Sequence, residues 1–143
     1  MSEENKALIH RWFEEVWNKG RAEAIDEMFA EEAVAHGLAE ASGQELRGPA
    51  GFKPFFQNFR DAFPDIRVIV EDTIAEGDKV ATRLTLHAVH TGEFQGMLAT
   101  GKQIAMAQTT IHRIRDGKIT EVWVSSDDVG MMKQLGLMPS QAG

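Results

Sequence analysis

The chain has 143 residues, with 15 Lys and Arg against 22 Asp and Glu, a formal charge of −7, and neither cysteine nor tyrosine. That length suits one domain, residues 1–143, able to bury a core without a covalent staple. The missing residue types exclude disulfides, thiolate metal sites, cysteine nucleophiles and any chemistry built on a phenol. The acidic balance argues against a nucleic-acid backbone as partner, because that contact needs clustered Lys and Arg.

The first ten residues, MSEENKALIH, carry two glutamates where a secretory signal begins basic and turns apolar. No apolar run approaches the ~18 residues of a membrane span. The expectation is a soluble, cytoplasmic protein with no membrane partner.

Leu8, Ile9, Trp12, Phe13, Val16 and Trp17 recur at helical spacing and predict a first helix. Ser2 is its candidate N-cap and Gly20 its stop. A short second helix follows, with Ala22, Ile25, Met28 and Phe29 inward. Glu40 to Gly48 reads as a loop. Phe52, Phe55, Phe56, Phe59 and Phe63 then share one helical stripe, which packs as core or walls an apolar cavity. Pro49 suits the first helical position. Pro54 removes a bond inside the helix, so the helix is expected to begin near Lys53 or to bend there.

From Ile66 the period changes to two. Residues 68–76, 79–91, 102–115 and 118–126 predict strands, with hairpin turns at Gly77-Asp78 and Asp116-Gly117. A terminal helix is expected over Val129 to Leu135. Helices followed by an antiparallel meander give an α+β fold with the helices on one face of the sheet. There is no GxGxxG and no GxxxxGK[ST].

Alternation sorts the strand faces. Val80, Thr82, Leu84, Leu86 and Ala88 are expected to face the helices. So are Ile104, Met106, Gln108, Thr110 and His112, and, on the last strand, Ile119, Glu121, Trp123, Ser125 and Asp127. A core face that turns polar at one end predicts a pocket, because buried polar groups must be paired or wet. The opposite face, with Val122, Val124, Ile111 and Ala107, is expected to pair with a second copy as a homodimer or higher homo-oligomer.

Asp127 is the candidate general base at the rim of that pocket, with the competing role of helix cap shared between it and Asp128. His112 is placed to relay a proton or bind an oxyanion. Gln108, Thr110, Trp123, Met106, Met97, Phe56 and Phe59 are expected to surround an apolar ligand. His36, in AVAHG, is a further candidate. His87 and His90 form an HxxH, but residues three apart on a strand point to opposite faces, so no metal site is expected. Ser125 and Ser126 lie outside any GxSxG and read as polar residues at a helix start.

These segments together resemble the nuclear transport factor 2-like superfamily and, within it, the SnoaL-like polyketide cyclases, also called ester cyclases. The resemblance rests on NKALIHRWFEEVWNKG from Asn5, GPAGFKPFF from Gly48, the run from Phe59 to Gly96 ending in HTGEFQG, ATGK from Ala99, and IHRIRDGKITEVW from Ile111. It implies a cone of strongly curved antiparallel sheet with the N-terminal helices in its concave face. It also implies an intramolecular aldol closure without metal or cofactor. In this family an aspartate at the end of the last strand acts as acid/base, and Asp127 stands at that position. Ser126 stands where most relatives carry tryptophan, and Val122 where many carry histidine. Ketosteroid isomerases and limonene epoxide hydrolases share the superfamily but depend on tyrosine, which this chain lacks. The expected function is therefore a cofactor-free cyclase acting on a small apolar carbonyl compound. The alternative is a non-catalytic module that binds a small ligand or dimerises.

Overall fold

The structure, a computed structural model, describes residues 2–38, 45–93 and 98–136. The chain opens with α1 (Ser2–Arg11), which continues as wider π-type turns over Trp12–Asn18. The Lys19 N–H reaches back five residues to the Glu14 carbonyl at 2.9 Å, and Gly20, at φ +70°, ends the run. Helix α2 (Ala22–Met28) leads directly into β1 (Phe29–His36). The two-residue strand β2 (Leu46–Arg47) and the long helix α3 (Gly48–Ala62) follow. The rest is a meander of β3 (Arg67–Glu76), β4 (Lys79–Val89), β5 (Gln103–Arg115) and β6 (Lys118–Ser126), closed by α4 (Asp128–Gln134).

The sheet has six strands in the order β2-β1-β6-β5-β4-β3. It is mixed, because β1 runs parallel to β6 while every other pair is antiparallel. Strand β1 has no counterpart in the sequence-based expectation, which counted Phe29 with the second helix. Its burial order does not alternate strictly, and its parallel partner lies some ninety residues away, so no local signal marks it. Part of the expected loop from Glu40 to Gly48 is instead β2 and the first residue of α3, and residues 39–44 lie outside the described ones.

Both hairpin turns form as expected. Asp116 and Gly117, at φ +53° and +75°, make the two-residue turn of mirror-image type that an Asp-Gly step favours. Helix α3 starts at Gly48 and runs through Pro54 rather than beginning beside it. Pro54 and Ala50, whose carbonyl it leaves without the i+4 amide, are both exposed, so that carbonyl is not buried without a partner.

The expected faces of β4 and β5 hold. Val80, Leu84, Leu86 and Ala88 are buried, as are Ile104, Met106, Thr110 and His112. The face of β6 does not hold beyond its first turn. Ile114 pairs with Ile119, but Arg113 pairs with Glu121, so Thr120 is an extra residue in β6. One inserted residue reverses every later side chain. Ile119 is buried as expected, but Val122 is buried too, and Val122, Val124 and Ser126 face the helices. Trp123 lies on the other side of the sheet against His36. Val122 and Val124 therefore do not contribute to an outer apolar face. Ile111 and Ala107 remain exposed there.

The helices fill the concave face with rings. Trp12 stacks on Phe29 at 5.7 Å between centroids and tilts against Phe52 at 5.4 Å. Phe52 and Phe56 are 2% exposed, and burying each such ring stabilises the fold by roughly 1.5–3 kcal/mol.

Candidate functional site

The aromatic helices and the curved sheet do not close completely. Between them lies a cavity of about 460 Å³. One wall is aromatic: Trp12, Phe13 and Trp17 from the first helical run, and Phe52, Phe55 and Phe59 from α3. The π-type turns put all three N-terminal rings on this wall. The facing wall is β5 and β6. Period-two alternation sends Met106, Gln108, Thr110 and His112 inward from β5, and the bulge sends Val122, Val124 and Ser126 inward from β6. Gly37 and Leu38, just beyond β1, complete one side. Gly37 is held at φ +84°, and a Cβ there would lie 2.3 Å from the Val124 carbonyl oxygen, so the close approach of the two segments requires glycine. Helix α4 closes the last side with Asp128, Met131 and Met132.

The polar groups form a strip along the sheet wall. Gln108 and Ser126 are cross-strand partners, and the Gln108 Nε2–H donates to Ser126 Oγ at 2.9 Å. That bond uses the serine oxygen as acceptor and leaves its hydroxyl proton to donate elsewhere. His112 lies at the deep end, 2% exposed. Its ring meets Phe13 edge-on at 5.8 Å and Trp12 at 6.4 Å, and its Nδ1 is 3.4 Å from Thr110 Oγ1. Burial away from water disfavours the imidazolium and pushes the His112 pKa from 6.5 down to about 3. His112 is thus a neutral imidazole at physiological pH, with one N–H donor and one acceptor nitrogen.

The β6–α4 junction separates the two aspartates. Asp127 is the N-cap of α4: its Oδ1 accepts from the Gly130 N–H at 2.9 Å, and the residue is exposed. Asp128, one residue on and in the first helical turn, is the aspartate that lines the cavity.

Of the residues expected at the site, Met106, Gln108, Thr110, His112 and Phe59 line the cavity together. Phe56 instead packs in the core against Trp17, at 5.3 Å. His36 and Trp123 are on the convex side, stacked at 5.6 Å. There His36 Nε2 is 2.7 Å from Glu121 Oε2, and the Arg113 guanidinium sits 5.3 Å over the indole. The inserted residue in β6 is the reason, since it turns Trp123 and Glu121 away from the helices. Met97 lies outside the described residues. Ser126, Asp128, Trp12, Phe13 and Trp17 were not singled out as site residues from the sequence. The alternation of Val122, Val124, Ser126 and Asp128 is a signal for two of them when it is counted back from the helix rather than forward from Ile119.

Residues 7–135 match the SnoaL-like polyketide cyclase family. The chain belongs to that family. It is 32% identical over 130 residues to the aklanonic acid methyl ester cyclase DauD of Streptomyces sp. (strain C5), covering 90% of this chain and 80% of that protein. Identity to the aklanonic acid methyl ester cyclase DnrD of Streptomyces peucetius is also 32% over 130 residues, covering 90% of this chain and 88% of the relative. The crystal structure of wild-type IdmH from Streptomyces antibioticus superposes with a TM-score of 0.81 at 34% identity, covering 92% of this chain and 98% of IdmH. A SnoaL-like chain of this kind therefore combines the cone fold with a cavity between its aromatic helices and the inner face of its sheet.

Proposed function

We propose that this SnoaL-like protein closes a ring in a small, largely apolar polycarbonyl compound by an intramolecular aldol reaction, with an aspartate of the β6–α4 junction as acid/base. The observation that carries the reading is the two-sided cavity, in which one wall is aromatic and the other bears a line of hydrogen-bonding groups ending near a carboxylate. The aromatic wall suits a flat conjugated molecule. The polar strip suits oxygens along one edge of it.

In this reading Asp128 takes a proton from a carbon alpha to a carbonyl. The enolate carbon attacks a second carbonyl of the same molecule and one carbon–carbon bond forms. The resulting alkoxide takes the proton back, so substrate and product are isomers. Conjugation in the substrate spreads the enolate charge. The Ser126 hydroxyl and the N–H of neutral His112 are donors for the oxygens where charge develops. The apolar surroundings hold the two reacting carbons together and away from water.

The test uses aklanonic acid methyl ester, which the curated relatives are named for. Wild-type protein is expected to convert it to a product of identical mass, and Asp128→Asn to lose on the order of 100-fold or more of the rate, the usual scale for a general base. Undiminished turnover by Asp128→Asn, with loss in Asp127→Asn, would transfer the role to the capping aspartate.

A further inference from the structure

We propose that Thr110 is a positioning residue for His112: its hydroxyl donates to Nδ1, fixes the imidazole as the Nε2–H tautomer and so presents an N–H donor to the cavity. The inference takes from the preceding section only that this cavity is the ligand site. Thr110 and His112 stand two apart on β5, so both side chains leave the same face of the strand. Both are nearly sealed from water, at 3% and 2% exposed. Thr110 Oγ1 is 3.4 Å from His112 Nδ1, and among the described residues that hydroxyl is the one hydrogen-bonding partner of the ring.

The protons decide the direction of that bond. A neutral imidazole carries one proton on its two nitrogens, and a threonine hydroxyl carries one proton of its own. With the ring proton on Nδ1, Nδ1 would donate to Thr110 Oγ1. The threonine proton would then need a different acceptor, and the described residues give it none. Thr82, directly opposite Thr110 on β4, is no substitute, because its Oγ1 is buried without a partner among those residues. A buried O–H with no acceptor forfeits the bond it made to water. With Nδ1 as acceptor, the threonine proton is used and the ring proton stands on Nε2. Phe13, edge-on at 87°, and Trp12, at 64°, fix the plane of the ring. The hydroxyl fixes which nitrogen carries the proton.

Nε2 is the nitrogen left over for a cavity ligand, since Nδ1 is engaged within the strand and His112 lines the cavity. An Nε2–H is a neutral donor for a carbonyl oxygen, and a stronger one for the enolate or alkoxide oxygen that replaces it. The other tautomer would turn a lone pair toward the same oxygen. One buried hydroxyl thus sets whether the deep end of the cavity donates or accepts.

NMR of the whole protein labelled with nitrogen-15 histidine at pH 7 reads the tautomer directly, the His112 signals being identified by their loss in His112→Leu. The wild-type ring is expected as Nε2–H, a result that needs no other variant. Thr110→Val removes the donor and should shift the tautomer ratio toward Nδ1–H by roughly 3- to 10-fold, the scale of one net hydrogen bond. Thr110→Ser should restore it. Thr82→Val is the control: it removes an equally buried hydroxyl from the facing strand, 1% exposed, and should leave the ratio unchanged. With aklanonic acid methyl ester, Thr110→Val should lower kcat by a similar factor and leave KM nearly unchanged. An Nδ1–H ring in the wild type, an unchanged ratio in Thr110→Val, or an equal shift in Thr82→Val overturns the proposal. An Nε2–H ring that depends on Thr110, in a protein without turnover, upholds the tautomer assignment and counts against the cyclase reading instead.

Discussion

Asp127 accepts a hydrogen bond from the Gly130 N–H at 2.9 Å as the N-cap of α4, while Asp128, the next residue, lines the cavity. Two adjacent carboxylates thus divide two tasks that a single aspartate cannot perform at once. A carboxylate that accepts from a helix N-terminus is held at the N-cap. Its neighbour, in the first turn, belongs to the cavity wall.

The division predicts opposite phenotypes. Asp127→Ala removes the cap and should destabilise the fold by about 1 kcal/mol, whereas Asp127→Asn keeps a capping oxygen and should be nearly neutral. Asp128→Asn should leave stability within about 0.5 kcal/mol of wild type, as surface substitutions usually do. Urea melts of the three variants check this. Equal stability losses for Asp127→Ala and Asp128→Asn would mean that the cap does not distinguish the residues.

How far the site was legible depends on which residues are considered. Gln108, Thr110 and His112 could be assigned to one face because β5 alternates without interruption for thirteen residues and ends at an Asp-Gly turn that fixes its register. Trp123 and Val122 could not, because the extra residue at Thr120 has no signature of its own in the sequence. Strand β1 was invisible for a different reason. Its alanines and glutamates carry no strong pattern, and only pairing with β6, far along the chain, makes it a strand. The five phenylalanines from Phe52 to Phe63, four in α3 and the last its C-cap, share one stripe in the sequence, but whether a ring packs or lines a cavity is set by the facing sheet. Phe56 and Phe59, three residues apart, fall on different sides of that distinction.

Burial of His112 predicts a specific loss of stability in acid. Its pKa is about 3 in the folded protein against 6.5 ordinarily. Between those values the unfolded chain binds a proton that the folded chain does not. The stabilisation is therefore complete above pH 6.5 and is lost as pH falls toward 3. Linkage gives a loss of about 2 kcal/mol between pH 7 and pH 5 from this group alone. His112→Leu removes the titration, so the difference between wild type and variant should shrink over that interval in denaturant melts. Parallel pH dependences for the two proteins would show that His112 protonates in the folded state at an ordinary pH.

Helix α4 is held to the sheet by a side chain that imitates a strand. Strand β6 stops pairing with β5 at Gln108, which leaves the backbone of Ala105 without a strand partner on that edge. Gln134 fills the place: its Oε1 accepts from the Ala105 N–H at 2.7 Å, and its Nε2–H donates to the Ala105 carbonyl at 2.9 Å. Because the same helix carries Asp128, Met131 and Met132 to the cavity, this amide fixes one wall of the site from outside it. Gln134→Ala should cost about 1–2 kcal/mol, the net worth of two hydrogen bonds at an exposed edge. It should also speed hydrogen exchange at the Ala105 amide by roughly tenfold or more, in keeping with local opening of the helix. Gln134→Glu separates the two bonds, since a carboxylate accepts from the Ala105 N–H but cannot donate to its carbonyl. The glutamate variant should therefore retain part of the protection of that amide. Unchanged exchange at Ala105 in Gln134→Ala would show that Met131 and Leu135, both buried, anchor α4 without the amide.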